Sequence, residues 1–274
     1  MGQLKILLVG AEGFVGSNAL NYLSQKHTVV PIYKSHNIDF SLLQPVKQLL
    51  EQVQPDVVLN CLTYGFKHTV ERDEGAEAAK NIAMFYNFYH NSHLFKQYIN
   101  IGSGAEFDRR LDINNVTEGQ IYNCLPVDAY GFAKNVIARV INSLNDKFVT
   151  LRLFGCFGPN EWETRFFKRF VNSQDVFKIQ DDRYFDYISI QDFVKVIDHV
   201  ISNQITGQDF NCVYNDKLLL SEILTMFCDV HNLEKRFEVG STTNLNYTGS
   251  ASKINYSMQQ LELDGLVQGM KDYL

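Results

Sequence analysis

Tyr130 and Lys134 stand four residues apart in AYGFAK, a stretch with helical patterning. Their side chains therefore share one helix face, about a turn apart. A free tyrosine with a pKa of about 10 is of little use for proton exchange near neutrality, but an adjacent ammonium favours the phenolate and lowers that value. Such a pair can give a proton to a carbonyl or take one from a hydroxyl. The same spacing arises by chance in many helices, so alone it reads as ordinary helix surface. The second constellation changes that. Gly10, Gly13 and Gly16 in GAEGFVG fall at three-residue intervals between an apolar run and a helical pattern. Glycines so placed permit a tight turn, bring a diphosphate against the main chain and pack helix on strand, while the helix N-terminus offers free N–H groups and a positive dipole end. An ordinary turn between strand and helix is the plain alternative; the buried strand before it and the amphipathic helix after it favour a dinucleotide site. An oxidised nicotinamide ring would then lower the Tyr130 pKa further, and Lys134 could also hold the nicotinamide ribose.

These residues need a scaffold, and the hydrophobic pattern supplies one. Residues 4–9 read as a strand buried on both faces, with a helix from about Phe14. A second strand is expected over Thr28–Tyr33, with Pro31 making its end irregular, then a helix at about 45–53 and the buried strand VVLNCL at 57–62. Residues 63–75 read as a loop at the carboxyl end of that strand, where ligands bind in such sheets. A helix near 76–92, the strand QYINIGS at 97–103, a long loop over the site from Gly104 to Ala129, a helix at 129–144 and the strand FVTLRLF continue the alternation. After Gly158-Pro159 the pattern turns irregular, with helices at 162–173, 192–202 and 220–231 and strand candidates YFDYISI and DFNCVY. The fold class expected is α/β, a Rossmann doubly wound parallel sheet with a smaller, discontinuous C-terminal α+β lobe. The first domain is expected over residues 1–155 plus about 186–205, the lobe over about 156–185 plus 206–274.

The 274 residues carry a net charge of -6, with 45% hydrophobic and 20% charged residues, so no polybasic surface invites nucleic acid or anionic lipid. No apolar run approaches the roughly 20 residues a membrane span needs, and a first strand at residue 4 leaves no room for a leader, so a cytoplasmic protein is expected. Cys61, Cys124, Cys156, Cys212 and Cys228 are odd in number and widely spaced, which suits reduced core residues; no metal is expected. At the end of the second strand, where an acid would bind the adenosine ribose of NAD, the sequence reads Tyr33, Lys34, Ser35, His36. That composition favours NADP(H), with NAD(H) left open.

Taken together, the chain resembles the extended short-chain dehydrogenase/reductases that modify nucleotide sugars, the NAD-dependent epimerase/dehydratase family. GAEGFVG matches their GxxGxxG, VLNCL their NAAA-like strand end, and IGSGAEFD the serine-bearing strand end that precedes YxxxK. NIDFS at 37–41 followed by QPDVVLN is most similar to the 4-keto-sugar reductases of the GDP-fucose synthase and dTDP-4-dehydrorhamnose reductase type. The resemblance implies Ser103, Tyr130 and Lys134 as catalytic residues, Ser103 hydrogen-bonding the reacting oxygen. It implies a cofactor site of Gly10, Gly13, Phe14, Val15, Gly16, Tyr33, Lys34, Asp39, Phe40, Leu62 and Lys134, with Asp39 and Phe40 beside the adenine; Asp39 reads equally well as a turn cap. By the same analogy, a homodimer is expected through the helices near 76–92 and 129–144.

The departures narrow the reaction. Where the family's 4,6-dehydratases carry acidic groups after the catalytic threonine, Gly104 and Ala105 stand here; GDP-fucose synthase has a cysteine where Ala105 stands, and Glu106 is one position late for either pattern. Epimerisation beside the ketone lacks its usual groups, and hydride transfer at C4 remains. Gly155 replaces the asparagine of RLFNxYGP, and Phe185 stands where an arginine usually pairs with the substrate diphosphate; strand alternation from Arg183 offers a substitute, although Arg183 reads equally as a surface cation. His68, Glu71 and Arg72 could touch a sugar but read as a solvated loop, and Phe85, Tyr86, Phe88 and Tyr89 read as core. The expected function is NADP(H)-dependent reduction of the C4 ketone of a nucleotide-linked 4-keto-6-deoxy sugar, with Ser103, Tyr130 and Arg183 contacting the substrate. A nucleotide-sugar 4-epimerase with bound NAD and a non-catalytic dinucleotide sensor are the alternatives.

Overall fold

The elements run β1 (Lys5–Val9), α1 (Phe14–Leu23), β2 (Thr28–Ile32), α2 (Leu43–Val53), β3 (Val57–Asn60), α3 (Glu74–His90), β4 (Gln97–Ser103), β5 (Ile113–Val116), α4 (Ala129–Leu144), β6 (Phe148–Leu153) and β7 (Gly155–Phe157). They continue with α5 (Phe166–Val171), β8 (Phe177–Asp182), β9 (Tyr187–Ser189), α6 (Ile190–Ser202), β10 (Gln208–Asn211), α7 (Leu220–His231), β11 (Phe237–Thr242), β12 (Tyr247–Gly249), α8 (Ser252–Ser257) and α9 (Leu266–Lys271). The computed structural model describes residues 2–65, 73–144, 146–242 and 245–274. Two compact units result: Met1–Asp108, Gly119–Arg152 and Ile197–Phe210 form the first, and Arg109–Glu118, Leu153–Val196 and Asn211–Leu274 the second.

The first unit is an α/β sheet in the order β10-β6-β4-β3-β1-β2. β1 lies parallel between β2 and β3, with Ile6 opposite Val57 and Val9 opposite Asn60, so the runs at 4–9 and 57–62 are parallel neighbours as expected. Burial on both faces explains why β1 and β3 read as unbroken apolar runs rather than alternations. Pro31 falls in β2, the sheet's edge strand, where a missing N–H breaks no central ladder. Phe85 and Phe88 of α3 close over Tyr98 and Phe148 of the sheet, packed edge-on or tilted with centroids 5.4–6.1 Å apart. These rings, with Ile137 and Ile141 of α4, make the core that fixes α3 and α4 on the sheet.

The second unit has its own core, built from Phe157, Phe167, Phe170, Phe177, Phe227 and Tyr273. Its parallel strand pairs are β8 with β11, β7 with β9 and β5 with β12. The Asp192 carboxylate, fully buried, accepts from the Asp264 and Gly265 amides and the Tyr214 hydroxyl, which clips the C-terminal segment onto α6.

Two expectations are corrected. The stretch from Gly104 to Ala129 is no uniform loop: it holds a 3-10 turn at Gly104–Phe107, strand β5 and another turn at Glu118–Asn123. β5 has two exposed asparagines between buried Ile113 and Val116, and its partner β12 lies some 130 residues away, so neither alternation nor a local hairpin announces it. YFDYISI is a strand only over Tyr187–Ser189, because Tyr184 bridges Leu219 while Phe185 bridges Tyr247, and the ladder is divided between partners.

Gly16 shows how tightly the first turn is built, since a Cβ there would lie 2.1 Å from the Gly10 carbonyl oxygen. Alanine gains about 1 kcal/mol of helix propensity over glycine, but a backbone overlap of this depth outweighs it. Gly16→Ala is expected to lose about 1–3 kcal/mol net in urea unfolding, the range for overpacked sites.

Candidate active site

The three glycines of the turn are bare for different reasons. Gly10 has φ +82° and its Cβ would sit 2.8 Å from the Leu62 amide nitrogen, just past β3; Gly16 is closed off by Gly10. Packing of the chain on itself demands both. At Gly13 the nearest atom to a Cβ is 3.4 Å away, so the fold tolerates a side chain there. Gly13 is also the N-cap of α1, no side chain caps that helix, and its first turn, including Phe14 and Val15, carries no acid. An uncapped helix start of this kind has free N–H groups that can receive phosphate oxygens. The Asn60 side chain accepts from the Leu62 amide at 3.2 Å and donates to the Tyr98 hydroxyl at 3.0 Å, fixing the strand end against which the turn lies.

Beyond β2, Lys34–His36 form a 3-10 turn, with Tyr33 stacked on His36 at 5.8 Å. Here the structure shows a group that the sequence reading passed over. The Glu12 carboxylate, from the glycine turn itself, accepts the Lys34 amide at 3.0 Å. A carboxylate from another segment therefore stands beside the turn that follows β2. Asp39 is occupied as a turn cap: its Oδ1 accepts from the Ser41 hydroxyl (2.6 Å), the Ser41 amide (3.0 Å) and the Tyr64 hydroxyl (3.2 Å), which hold its pKa below the ordinary carboxylate value. Phe40 is buried with its ring stacked on Phe88 at 5.9 Å, so its ring serves the core.

The three residues expected to handle the proton lie at the end of β4 and on α4. Ser103 ends β4, and its Oγ accepts the Ala105 amide at 3.2 Å, a lone-pair contact that leaves the hydroxyl proton to be donated elsewhere. Gly131 lets α4 press onto that turn, since a Cβ there would meet the Ala105 carbonyl oxygen at 2.5 Å. One turn on, the Lys134 ammonium donates to the Ile101 carbonyl at 2.7 Å and lies 6.0 Å from the centroid of the Tyr130 ring, the meeting that four-residue spacing predicts. Lys134 is buried, which pulls its pKa down to about 8, against the opposing pull of Glu106.

Glu106 is the second group the sequence reading undervalued. It is fully buried; Oε1 accepts the Ser103 amide at 2.8 Å and Oε2 faces Arg152 Nε at 2.5 Å. Arg152 in turn donates to Asp209 of β10 at 3.0 Å. Burial raises the Glu106 pKa, while Arg152 and the Ser103 amide, both bound to the ionised form, pull it back down. A signal for it did exist, because Ser103-Gly-Ala-Glu106 has the S-x-x-E form of a capping box, and that is the geometry found.

In the second unit, Gly155 is explained by contact: a Cβ would approach Tyr187 Cδ1 to 2.7 Å, so the asparagine of the family pattern does not fit beside β9. Phe185 stacks between Tyr187 and Tyr247 at 4.8 and 5.1 Å. Arg183 lies between β8 and β9 rather than within one strand, its Nη1 3.5 Å from the Leu245 carbonyl and its Nε buried without a hydrogen-bond partner. His68, Glu71 and Arg72 lie outside the described residues. Among the described residues, no helix is long and apolar enough to cross a membrane.

Residues 6–213 match the family described as NAD dependent epimerase/dehydratase. Among solved structures, the GDP-mannoheptose C4 reductase of Campylobacter jejuni, with NADP bound, superposes with a TM-score of 0.80 at 17% identity, over 99% of this chain and 97% of that one. The dTDP-4-dehydrorhamnose reductase of Bacillus anthracis, in complex with NADP, gives 0.79 at 13% identity over 99% of both chains. The dTDP-glucose 4,6-dehydratase of the same organism, in complex with NAD, gives 0.78 at 13% identity over 98% and 94%. At these identities the likeness is one of fold.

The contrast among the glycines yields a separable outcome. Gly13→Ala is expected to melt close to the wild type while losing most of its affinity for a nicotinamide dinucleotide, measured by calorimetric titration; equal binding by the variant would remove this helix start from the site.

Proposed function

Because the chain belongs to the NAD dependent epimerase/dehydratase family, we propose that it reduces the C4 ketone of a nucleotide-linked 4-keto-6-deoxy sugar with NADP(H). The glycine turn of Gly10, Gly13 and Gly16 would hold the cofactor, which when bound would supply the hydride for C4. The chain's own residues manage the oxygen. Ser103, its lone pair engaged by the Ala105 amide, points its proton at the carbonyl oxygen and polarises it. Tyr130 gives that oxygen its phenolic proton and recovers one from water. Lys134 stabilises the phenolate from beneath the ring and holds the nicotinamide ribose. The observation that carries this reading is the Lys134 ammonium, buried, fixed on the Ile101 carbonyl and beside the Tyr130 ring. Gly104 and Ala105, which carry no proton, support plain reduction over dehydration.

Arg183 is our choice for the substrate diphosphate, supported by its unpartnered Nε, and the second unit is the proposed nucleotide-sugar lobe. A homodimer through α3 and α4 belongs to the same reading; Tyr86, Tyr89, Val140 and Leu144 of these helices remain only partly buried in one chain.

One observation favours the 4-epimerase alternative, which would retain NAD. Glu12, fixed on the Lys34 amide, places a carboxylate where a ribose 2′-hydroxyl would be welcome and a 2′-phosphate would not. Glu12→Ala should therefore raise the ratio of kcat/KM with NADPH to that with NADH by roughly five- to tenfold, the effect of one nearby charge. An unchanged ratio would clear Glu12 of any part in the choice.

The reaction itself is tested by screening GDP-, CDP-, dTDP- and UDP-linked 4-keto-6-deoxy sugars for stoichiometric NADPH consumption; an epimerase would consume none and would purify with NAD. On the substrate found, Tyr130→Phe should lose about 10²–10⁴-fold in kcat while binding NADPH nearly as before, and Lys134→Met should lose both turnover and cofactor affinity. Retained turnover in Tyr130→Phe would reassign the acid.

A further inference from the structure

Four ionisable side chains are buried together beneath the proposed active site: Lys134 of α4, Glu106 of the turn after β4, Arg152 of β6 and Asp209 of β10. Ion pairs join three of them into one set. Its links are Arg152 Nε to Glu106 Oε2 at 2.5 Å, Arg152 Nη2 to Asp209 Oδ2 at 3.0 Å, and Asn142 Nδ2 to the same Asp209 oxygen at 3.1 Å. Glu106 occupies the junction. One oxygen faces the guanidinium and the other holds the amide of Ser103, so the same carboxylate joins the buried charges to the residue that would polarise the substrate. Gly102 is shaped to admit it, because a Cβ there would come within 2.6 Å of Glu106 Oε1.

We propose that Glu106 is a positioning residue for the reductase reaction, acting through the Ser103 amide that it holds and through the negative charge that it sets against Lys134. The inference rests on the function proposed above. Lys134 is faced by Cys61 at the end of β3, by Tyr130 on its own helix and by Glu106 from the turn; behind Glu106 stand Arg152 and Asp209. Of these, the Cys61 thiol is pushed up to about 12 by burial and stays neutral near pH 7, and Tyr130 is the partner whose phenolate Lys134 is to stabilise. Burial raises the Glu106 pKa, but the Arg152 guanidinium against Oε2 and the Ser103 amide on Oε1 favour its ionised form, and that carboxylate is the group that favours the ammonium. Burial lowers the Lys134 pKa and Glu106 raises it, so loss of the carboxylate must move it further down.

Two variants divide the roles. Glu106→Gln keeps an oxygen for the Ser103 amide but no charge; Glu106→Asp keeps the charge but withdraws the oxygen by one methylene. In Glu106→Gln the alkaline limb of kcat/KM should move to lower pH by roughly one unit. Its deficit in Tm against the wild type should also narrow as pH rises from 6.5 to 9, because Lys134 sheds its proton earlier in the variant and its buried charge ceases to cost stability. In Glu106→Asp the limb should stay in place while kcat falls at least tenfold with NADPH affinity unchanged. A Glu106→Gln protein with an unmoved limb and a pH-independent Tm deficit would show a merely structural residue. Should Glu106→Gln fail to fold, Glu106→Asp decides alone, and wild-type kcat in it overturns the proposal. The melting comparison needs no substrate, so a wild type that reduces no 4-keto sugar would defeat the proposed reaction while leaving Glu106 to be judged separately.

Discussion

A guanidinium with no exposure to water is the constraint on which the first unit depends. Arg152 lies in the middle of the sheet, and an uncompensated charge there would cost several kcal/mol, so the surroundings must answer it. They do so with Glu106 on one side and Asp209 on the other. Each answer has a geometric consequence. Reaching Arg152 commits the Glu106 backbone to a tight turn straight after β4, and that turn makes Ser103 an N-cap rather than a free strand end. The same turn leaves the Ala105 carbonyl where only a glycine, Gly131, lets α4 come close, and α4 carries Tyr130 and Lys134. Charge compensation in the interior and the arrangement of hydroxyl, phenol and ammonium above it are one construction.

The alternation of β1, α1, β2, α2 and β3 was legible because each element is long, apolar and local, and the glycine turn because its spacing is rigid. Tyr130 and Lys134 were legible for the same reason: a helix turns a four-residue interval into a contact. What escaped depends on partners distant in the chain. Glu106 reads as an acid displaced by one residue until Arg152, 46 positions on, and Asp209, 57 beyond that, are brought to it. Glu12 reads as filler between two glycines until β2 lays the Lys34 amide against it. β5, with a polar centre and a partner far downstream, gives a sequence reader nothing but a loop.

Two departures from the family pattern look like losses in the sequence and become substitutions of shape in space. The missing asparagine at Gly155 is the room that β7 needs to lie against Tyr187. The missing arginine at Phe185 is one layer of an aromatic stack running from Tyr187 to Tyr247. Each position is filled by packing that belongs to the second unit's own architecture, which also explains why the short strands around them carry so little periodic signal.

Asp209 sits on β10, and β10 reaches the first unit only after the chain has left it at Arg152 and built a large part of the second. During synthesis, therefore, the nascent sheet must wait. A ribosome that has released residues up to Arg152 has exposed a central strand whose guanidinium owns one counter-ion out of two, with its outer edge still unpaired. The first unit is discontinuous in the chain: its last strand, β10, and the second carboxylate paired with Arg152 are supplied together by residues that follow one stretch of the second unit.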